Sequence, residues 1–323
     1  MTQAVVVHAT GGPEVLRLEN RPLAAPGPGQ VALRQTAIGL NFIDTYQRSG
    51  LYPVDTPFVA GNEGAGVVTA LGEGVTDIRI GDRVAYQGQL GAYAAERLVK
   101  ADRLVPIPDG IDDHTAAAIL LKGVTAFYLL FKTWRVEPGQ TILWHAAAGG
   151  TGLIATQWAK SLGATVIGTA GSAEKVALAK AHGCDHVIDY SKEDFAARVQ
   201  ELTGGRGVDV VYDGVGKATF EKSLDCLRPR GLMVSFGNAS GVVEIPDLIV
   251  LSRKGSLYLT RPTGVHYLAR REDLLEAASA LFAAVESGAI RTEISRTFPL
   301  TQAADAHRAL EGRQTTGSVV LIP

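Results

Sequence analysis

The chain has 323 residues, room for two domains, since a single hydrophobic core usually stops growing at about 250–300 residues. Hydrophobic residues make up 46% and charged residues 20%, a composition that is typical of globular proteins and excludes a disordered chain. The 31 basic residues are balanced by 33 acidic ones, a formal net charge of −2, which argues against a nucleic-acid partner.

Cysteine usage and the start of the chain indicate a cytoplasmic protein. The two cysteines, Cys184 and Cys226, lie in unrelated contexts without a CxxC pattern, so they predict neither a disulfide framework nor a cysteine-based metal site. The opening MTQAVVVHATGG lacks the basic start and long apolar stretch of a signal peptide. No uninterrupted apolar run approaches the roughly 18 residues that would indicate a membrane span. We therefore expect no membrane partner.

The first third of the chain is predicted to be rich in β-strands. Short apolar runs such as QVALRQTAIG, GAGVVTALG and DRVAYQG are separated by turns of Gly, Pro and Asp. A helical composition first appears in DDHTAAAILLKGVTAFYLLFKTW, residues 112–134, where Gly123 is a candidate break between two helices. This part of the sequence predicts a β-rich domain that ends in helix.

From Thr141 onward, apolar strands alternate with helices of about ten residues. The strands are TILWHAA, ATVIGTAG, HVIDY, VDVVYDGVG, GLMVSFG and GSLYLT, and the helices between them include GLIATQWAKSLG, EKVALAKAHG and EDFAARVQELTG. This alternation predicts βαβ units and a doubly wound parallel sheet over residues 123–262. A helix, REDLLEAASALFAAVESG, and short strands follow, and we expect residues 263–323 to complete the first domain, residues 1–122.

A glycine-rich loop, AAAGGTG at 146–152, lies directly between a predicted strand and a predicted helix. Glycine allows the backbone to approach a diphosphate closely, and the following helix offers free N–H groups and the positive end of its dipole. Alone the pattern is weak, because any such turn favours glycine. With a strand before it, a helix after it and βαβ repetition behind it, it predicts a dinucleotide site.

The end of the second strand indicates which dinucleotide binds. NAD-specific folds usually place an acidic residue there to bind the ribose 2′-hydroxyl. This chain instead has Thr169 to Ser172, with Lys175 just beyond and Tyr190 ending the next strand. A 2′-phosphate would meet a hydroxyl, an ammonium and backbone N–H groups without repulsion, so the cofactor is predicted to be NADPH.

Taken together, the chain resembles the zinc-free quinone oxidoreductases of the medium-chain dehydrogenase/reductase superfamily, essentially from end to end. The resemblance is carried by GLNFIDTYQRSGLYP, GNEGAGVV, GDRVAY, LKGVTAFYLL, HAAAGGTGLIATQWAK, VVYDGVG, SLDCLRPRGLMVSFGNASG and GSLYLTRP. It implies an α/β protein in which a GroES-like β-rich catalytic domain is joined to a doubly wound Rossmann domain. It also implies a homodimer.

The resemblance implies that a metal site has been lost. In zinc-dependent alcohol dehydrogenases of the superfamily, a Cys and a His ligand stand where this chain has Asn41 and Asn62, and a third ligand falls near Lys122. Catalytic zinc needs three Cys, His or carboxylate ligands, which amides and an ammonium cannot supply. The cysteine-rich structural-zinc lobe is also absent from this sequence.

By the same resemblance, the pocket that faces the nicotinamide is lined by Asn41, Tyr46, Tyr52 and Arg261. Asn41 is suited to meet polar atoms of cofactor or substrate, although an Asn that caps a turn is the simpler alternative. For both tyrosines, packing at the pocket rim competes with a catalytic role. Asp44 is expected to orient its neighbours or to bind a ribose or backbone group rather than act as a general acid.

The remaining cofactor contacts are also implied by the family pattern. They are Asn41 and Asp44 together with Tyr128, Gly149, Gly150, Thr151, Gly152, Gly171, Ser172, Lys175, Tyr190, Phe236, Asn238 and Arg313. Thr151 departs from the Val expected after the double glycine, but it keeps the small β-branched shape.

The expected reaction is hydride transfer from NADPH to a quinone or another flat electrophilic acceptor. Without zinc there is no Lewis acid to polarise an alcohol, whereas a quinone yields a stabilised aromatic oxyanion. The nearest alternative is an enoyl-thioester or enone reductase in which Tyr52, in the segment Gly50–Pro53, donates a proton. A third alternative is a non-catalytic crystallin or RNA-binding role, which the net charge and the intact cofactor loop disfavour.

Overall fold

The computed structural model describes residues 1–245 and 247–323. These residues form two compact units. The first comprises Met1–Val124, Leu268–Glu286 and Thr292–Pro323, and the second comprises Thr125–Tyr267 and Ser287–Arg291.

The strands, in chain order, are β1 (Thr2–Val7), β2 (Leu16–Arg21), β3 (Gln30–Leu40), β4 (Phe58–Val59), β5 (Glu63–Leu71), β6 (Arg83–Gln87), β7 (Glu96–Lys100), β8 (Val105–Pro106), β9 (Thr141–Trp144), β10 (Thr165–Ala170), β11 (His186–Asp189), β12 (Val208–Asp213), β13 (Leu227–Ser235), β14 (Tyr258–Thr260), β15 (Ile294–Pro299) and β16 (Ser318–Ile322). The helices are α1 (Phe42–Ser49), α2 (Asp113–Phe127), α3 (Gly150–Ser161), α4 (Ala173–Ala181), α5 (Phe195–Leu202), α6 (Phe220–Asp225), α7 (Ile249–Arg253), α8 (Gly264–Tyr267), α9 (Arg271–Glu286) and α10 (Ala303–Glu311). Short 3₁₀ turns cover Pro13–Val15, Ala101–Arg103 and Leu300–Gln302.

The first unit is built on a sheet with the strand order β15-β16-β3-β5-β6-β8, to which β7 adds by pairing with β3. A smaller antiparallel sheet has the order β2-β1-β4. The long strand β3 crosses the middle, and Gly39 near its end has a specific role. A Cβ there would lie 2.2 Å from the carbonyl oxygen of Ala117 and 2.4 Å from Oε2 of Glu63. Glycine thus allows β3 to pass close to α2 and to a buried carboxylate.

The second unit contains a six-stranded sheet in the order β11-β10-β9-β12-β13-β14, and every pairing in it is parallel. The predicted doubly wound parallel sheet is confirmed. From β9 the chain adds β10 and β11 on one side of the sheet and then β12, β13 and β14 on the other side. The carboxyl end of β9 is therefore the switch point at which ligands bind in such sheets. Helix α3 begins just beyond it.

Helix α2 runs without a break through Gly123, so the predicted division there is wrong. A Cβ on Gly123 would lie 2.3 Å from a methyl carbon of Leu281, so this glycine allows α9 to pack closely against α2. The helix then widens into a π-helical turn over Tyr128–Thr133. The stretch Asp113–Thr133 is long and apolar enough to cross a membrane, but 72% of its most apolar window is buried, as in a core helix.

Candidate active site and cofactor loop

Asn41 lies at the junction between β3 and α1, where it is the N-cap residue of the helix. Its backbone is extended, with φ −137° and ψ 155°, and its N–H donates to Oδ2 of Asp44 at 2.9 Å. An acidic residue in the first turn of a helix satisfies an N–H group that the helix itself leaves unpaired. Gly50, with φ 84°, ends the helix in the left-handed conformation. These local interactions place the predicted asparagine directly after the C-terminal end of β3.

Asp44 is the centre of a buried polar cluster and is only 1% exposed. Its Oδ1 accepts from Nδ2 of Asn62 at 2.7 Å, and its Oδ2 also accepts from the Tyr93 hydroxyl at 3.0 Å. Burial raises the pKa of the Asp44 carboxyl to about 6, against the opposing effect of these hydrogen bonds and of the Lys122 charge. The side chain therefore orients its neighbours, and its predicted contact with cofactor stays a prediction.

Glu63 forms the second buried carboxylate, next to Asn62 at the start of β5. Its Oε2 accepts from Nδ2 of Asn41 at 2.7 Å and lies 3.4 Å from the ammonium of Lys122. Its Oε1 accepts the backbone N–H of Leu121 at 2.6 Å. Both asparagines of this site thus direct their amide nitrogen to a carboxylate.

This donor set does not fit a zinc ion. Asn41 and Asn62 present N–H groups that are already engaged, and the Lys122 ammonium would repel a cation. Within residues 1–245 and 247–323, no group of three or more His, Cys, Asp and Glu side chains is placed to hold a metal.

The two predicted tyrosines lie together at the end of α1. The rings of Tyr46 and Tyr52 meet edge to face, with centroids 5.2 Å apart, and the backbone N–H of Tyr52 donates to the Tyr46 carbonyl at 3.0 Å. Tyr46 is 9% exposed and Tyr52 is partly buried. Tyr52 therefore packs against Tyr46.

In the second unit, the glycine-rich loop connects β9 to α3 as predicted. Gly149 is the N-cap of α3, and Gly150, Thr151 and Gly152 form its first turn. A Cβ on Gly152 would lie 2.5 Å from the Ala146 carbonyl oxygen, so the close passage of helix past loop requires glycine. The first turn of a helix carries N–H groups with no partner in the helix and the positive end of its dipole. Such a cradle fits a diphosphate.

The predicted 2′-phosphate residues meet at the ends of the next two strands. Ser172 caps α4, and its Oγ accepts the backbone N–H of Lys175 at 3.3 Å. A Cβ on Gly171 would lie 2.4 Å from the Tyr190 hydroxyl, so the phenol extends over this glycine, and Tyr190 is 43% exposed. The structure brings these four residues together, and no carboxylate ends β10.

The other predicted residues lie in three places. Arg261 donates to the Gly237 carbonyl at 3.1 Å, beside Phe236 and Asn238 at the end of β13. Tyr128, in the π-helical turn, stacks on Tyr267 with centroids 4.8 Å apart. Arg313 belongs to the first unit, where it follows α10 with a φ of 57°.

Sequence reasoning missed Tyr93, His307 and Arg48, which extend the Asp44 cluster. The Tyr93 hydroxyl lies 3.0 Å from Nε2 of His307, and Nδ1 of His307 lies 3.1 Å from the Arg48 guanidinium. The signal for His307 was a short amphipathic run, AADAHRALEG, which ends in glycine and forms the unpredicted helix α10.

Comparison with known proteins agrees with both units. Residues 27–109 match the family described as alcohol dehydrogenase GroES-like domain, and residues 150–281 match the one described as zinc-binding dehydrogenase. A GroES-like domain combined with a parallel dinucleotide-binding sheet is the architecture of the medium-chain dehydrogenases/reductases. The expected fold class is confirmed.

The relatives narrow the assignment further. The chain is 54% identical to a quinone oxidoreductase of Pseudomonas aeruginosa and 49% identical to a 2-haloacrylate reductase of a Burkholderia species, with 99–100% of each chain covered. Its fold matches the Escherichia coli quinone oxidoreductase complexed with NADPH with a TM-score of 0.98 and 49% identity, over 99% of this chain and 100% of the other. The chain belongs to the quinone oxidoreductase family of the medium-chain dehydrogenases/reductases.

Proposed function

We propose that the protein is an NADPH-dependent quinone reductase that works without a metal. The observation that carries the proposal is the pair Asn41–Glu63 and Asn62–Asp44, in which both amides donate to buried carboxylates. The family resemblance implies that these two asparagines stand where zinc-dependent relatives have metal ligands. Relatives at 54% and 51% identity over the full length bear the name quinone oxidoreductase.

NADPH fits the residues of the second unit. Gly149–Gly152 would hold the diphosphate, and Gly171, Ser172, Lys175 and Tyr190 would hold the 2′-phosphate. Bound NADPH would supply the hydride. The absence of a carboxylate at the end of β10 removes the group that would repel the extra phosphate.

The protein's own residues have to bind and orient the acceptor. We assign this role to Asn41, Tyr46, Tyr52 and Arg261. Hydrogen-bond donors near the acceptor carbonyl stabilise the oxyanion that forms, and positioning alone can lower a barrier by roughly 7–11 kcal/mol in well-oriented cases. Residues 1–122 and 263–323 would form the catalytic domain and 123–262 the NADPH-binding domain.

The test is NADPH oxidation with three acceptors, 1,4-benzoquinone, 9,10-phenanthrenequinone and crotonyl-CoA, with NADH as the matched cofactor control. We expect turnover with both quinones and a strong preference for NADPH. Turnover of crotonyl-CoA in the absence of quinone turnover would contradict the proposal.

Reduction of an activated alkene is the second candidate function. It is favoured by the 49% identity to the 2-haloacrylate reductase, and Tyr52, which lies against Tyr46, would be its proton donor. Tyr52→Phe separates the two functions. Loss of a proton donor should abolish alkene reduction, whereas benzoquinone, which needs no proton on carbon and can still be oriented by Asn41 and Tyr46, should keep most of its turnover. A 2-haloacrylate belongs in the same assay.

We also propose a cytoplasmic homodimer. The second unit has an edge strand, β14, whose Tyr258 is 61% exposed, and Leu248 and Val265 nearby in the sequence are 68% and 75% exposed. Exposed apolar side chains beside an open edge favour pairing with a second copy. Sedimentation equilibrium of wild type and Tyr258→Lys tests the dimer.

A further inference from the structure

A chain of buried hydrogen bonds connects the C-terminal helix α10 to the cluster that holds Asn41 and Asn62. It runs from Arg48 through His307 and Tyr93 to Asp44, with atom pairs 3.1, 3.0 and 3.0 Å apart. None of the four residues is more than 2% exposed. The residues come from α1, the loop between β6 and β7, and α10, so no short sequence motif contains them.

The direction of each hydrogen bond in this chain is fixed by Arg48. A guanidinium has only donors, so Nδ1 of His307 must accept and Nε2 must carry the ring proton. Burial and the neighbouring Arg48 charge lower the pKa of His307 to about 3, which keeps the ring neutral. His307 therefore donates to the Tyr93 oxygen, and Tyr93 donates to Asp44. Every donor points towards the carboxylate.

This polarity excludes a proton wire. Arg48 keeps its protons and is held by Glu311 through two hydrogen bonds of 2.9 and 2.7 Å, so it cannot pass a proton inward. These hydrogen bonds can instead stabilise the ionised form of Asp44 and fix its orientation.

Asp44 in turn holds both asparagines of the site. Its Oδ1 accepts from the Asn62 side chain, and its Oδ2 accepts from the Asn41 backbone as well as from Tyr93. We propose that Tyr93 and His307 are positioning residues, which orient Asp44 so that Asn41 and Asn62 are held in the geometry that reduction requires. This inference rests on the proposed function in one respect: it takes Asn41 to lie at the reacting site.

The packing around Tyr93 supports a positional role. Gly61, directly before Asn62, has a φ of 90°, and a Cβ there would lie 2.1 Å from Cδ1 of Tyr93. The backbone next to Asn62 is thus shaped around this ring. A buried polar network is weak support for stability, because apolar side chains of similar volume often pack as well. The location of this network beside Asn41 and Asn62 favours a role in orienting Asp44.

Other charged and titratable groups also act on Asp44. Lys122, which is paired with Glu63, acts on it directly, and Arg48 acts on its donor Tyr93. Any change in Asp44 titration must therefore be compared with a variant that leaves these groups in place.

Tyr93→Phe removes one donor to Asp44, and Tyr86→Phe is its matched control. Tyr86 is equally buried, but its hydroxyl bonds to Gln35 and Arg97 and not to Asp44. We expect Tyr93→Phe to shift the acid limb of the kcat profile for benzoquinone upward by about one pH unit, because a donor to the charged form is lost. Tyr86→Phe should leave the acid limb in place.

His307 provides a second pair of variants. His307→Gln keeps an acceptor for Arg48 and a donor for Tyr93, so it should retain the wild-type acid limb, whereas His307→Leu should shift it as Tyr93→Phe does. Equal profiles for Tyr93→Phe and Tyr86→Phe in folded protein would overturn the proposal. Urea unfolding of each variant establishes that it is folded.

A substrate-free measurement separates this inference from the proposed function. The Asp44 carboxyl can be titrated by ¹³C NMR in protein labelled at aspartate, with Asp44→Asn for assignment. An upward shift of its midpoint in Tyr93→Phe supports the positioning role even if the wild type reduces no quinone. An unmoved midpoint refutes it even if quinone turnover is found.

Discussion

The ammonium of Lys122 lies 3.4 Å from Oε2 of Glu63, with the two side chains 8% and 0% exposed. Oε2 also accepts the Asn41 amide. The pair therefore couples a predicted active-site asparagine to helix α2. A buried charge that loses its partner lowers the free energy of unfolding, so removal of one member of the pair gives a measurable change.

Glu63→Gln should lower the free energy of unfolding by about 3 kcal/mol, because it removes the nearest counter-charge of the buried Lys122 ammonium. Urea unfolding measures the change. The double variant Glu63→Gln with Lys122→Met removes both charges and should recover at least half of the loss. A single variant as stable as wild type would show that water or another group satisfies Lys122.

Lys175→Ala should raise the KM for NADPH about tenfold, since a hydrogen bond to a charged phosphate contributes roughly 1.5–3 kcal/mol. The KM for NADH, which has no 2′-phosphate, should stay the same. Lys180→Ala, an exposed lysine on the same helix, is the control. Equal effects on the two cofactors would contradict the assignment of Lys175 to the 2′-phosphate.

Much of the second unit could be predicted from sequence because its signals are local. The strands of the parallel sheet are apolar runs, helices α3, α4 and α5 each stop at a glycine (Gly163, Gly183 and Gly204), and the loop before α3 carries its own pattern. Helix α10 was missed because it directly follows a 3₁₀ turn and its N-cap residue, Gln302, makes no side-chain cap hydrogen bond. Gly123 was misread because a helix break and a close helix contact both select glycine.

The site in the first unit was predicted only where neighbours in sequence are neighbours in space. Asn41 and Asp44 form one cap of one helix, and that relation is visible in IGLNFIDTY. Tyr93 and His307 are 214 positions apart, and nothing near either residue indicates the other. Their contact depends on the long-range pairing of strands β3 and β16, which periodicity cannot specify.

Gly152→Ala should weaken NADPH binding at least about tenfold. Its Cβ would lie 2.5 and 2.7 Å from the carbonyl oxygens of Ala146 and Ala147, so the loop backbone would have to move. Gly149→Ala should have a smaller effect, because its Cβ would meet only the Ala146 oxygen, at 3.2 Å. Fluorescence titration with NADPH measures both. Similar dissociation constants for Gly152→Ala and wild type would show that α3 does not position the cofactor.

His307 should make stability depend on pH in a direction that its environment dictates. Its folded pKa of about 3 lies below the ordinary value of 6.5, so the unfolded chain binds a proton first as the pH falls. The stabilisation is present above pH 6.5 and is lost progressively towards pH 3. Between pH 7 and pH 5 this loss amounts to about 2 kcal/mol.

Asp44 acts in the opposite direction over part of this range. Its folded pKa of about 6 lies above the ordinary 3.8, so the folded protein binds a proton first and gains about 1 kcal/mol between pH 7 and pH 5. Comparison of His307→Gln with wild type at both pH values cancels this contribution and those of other carboxyls. We expect the stability deficit of His307→Gln at pH 7 to shrink by about 2 kcal/mol at pH 5, measured by urea unfolding. A deficit that stays constant would mean that His307 is not held neutral.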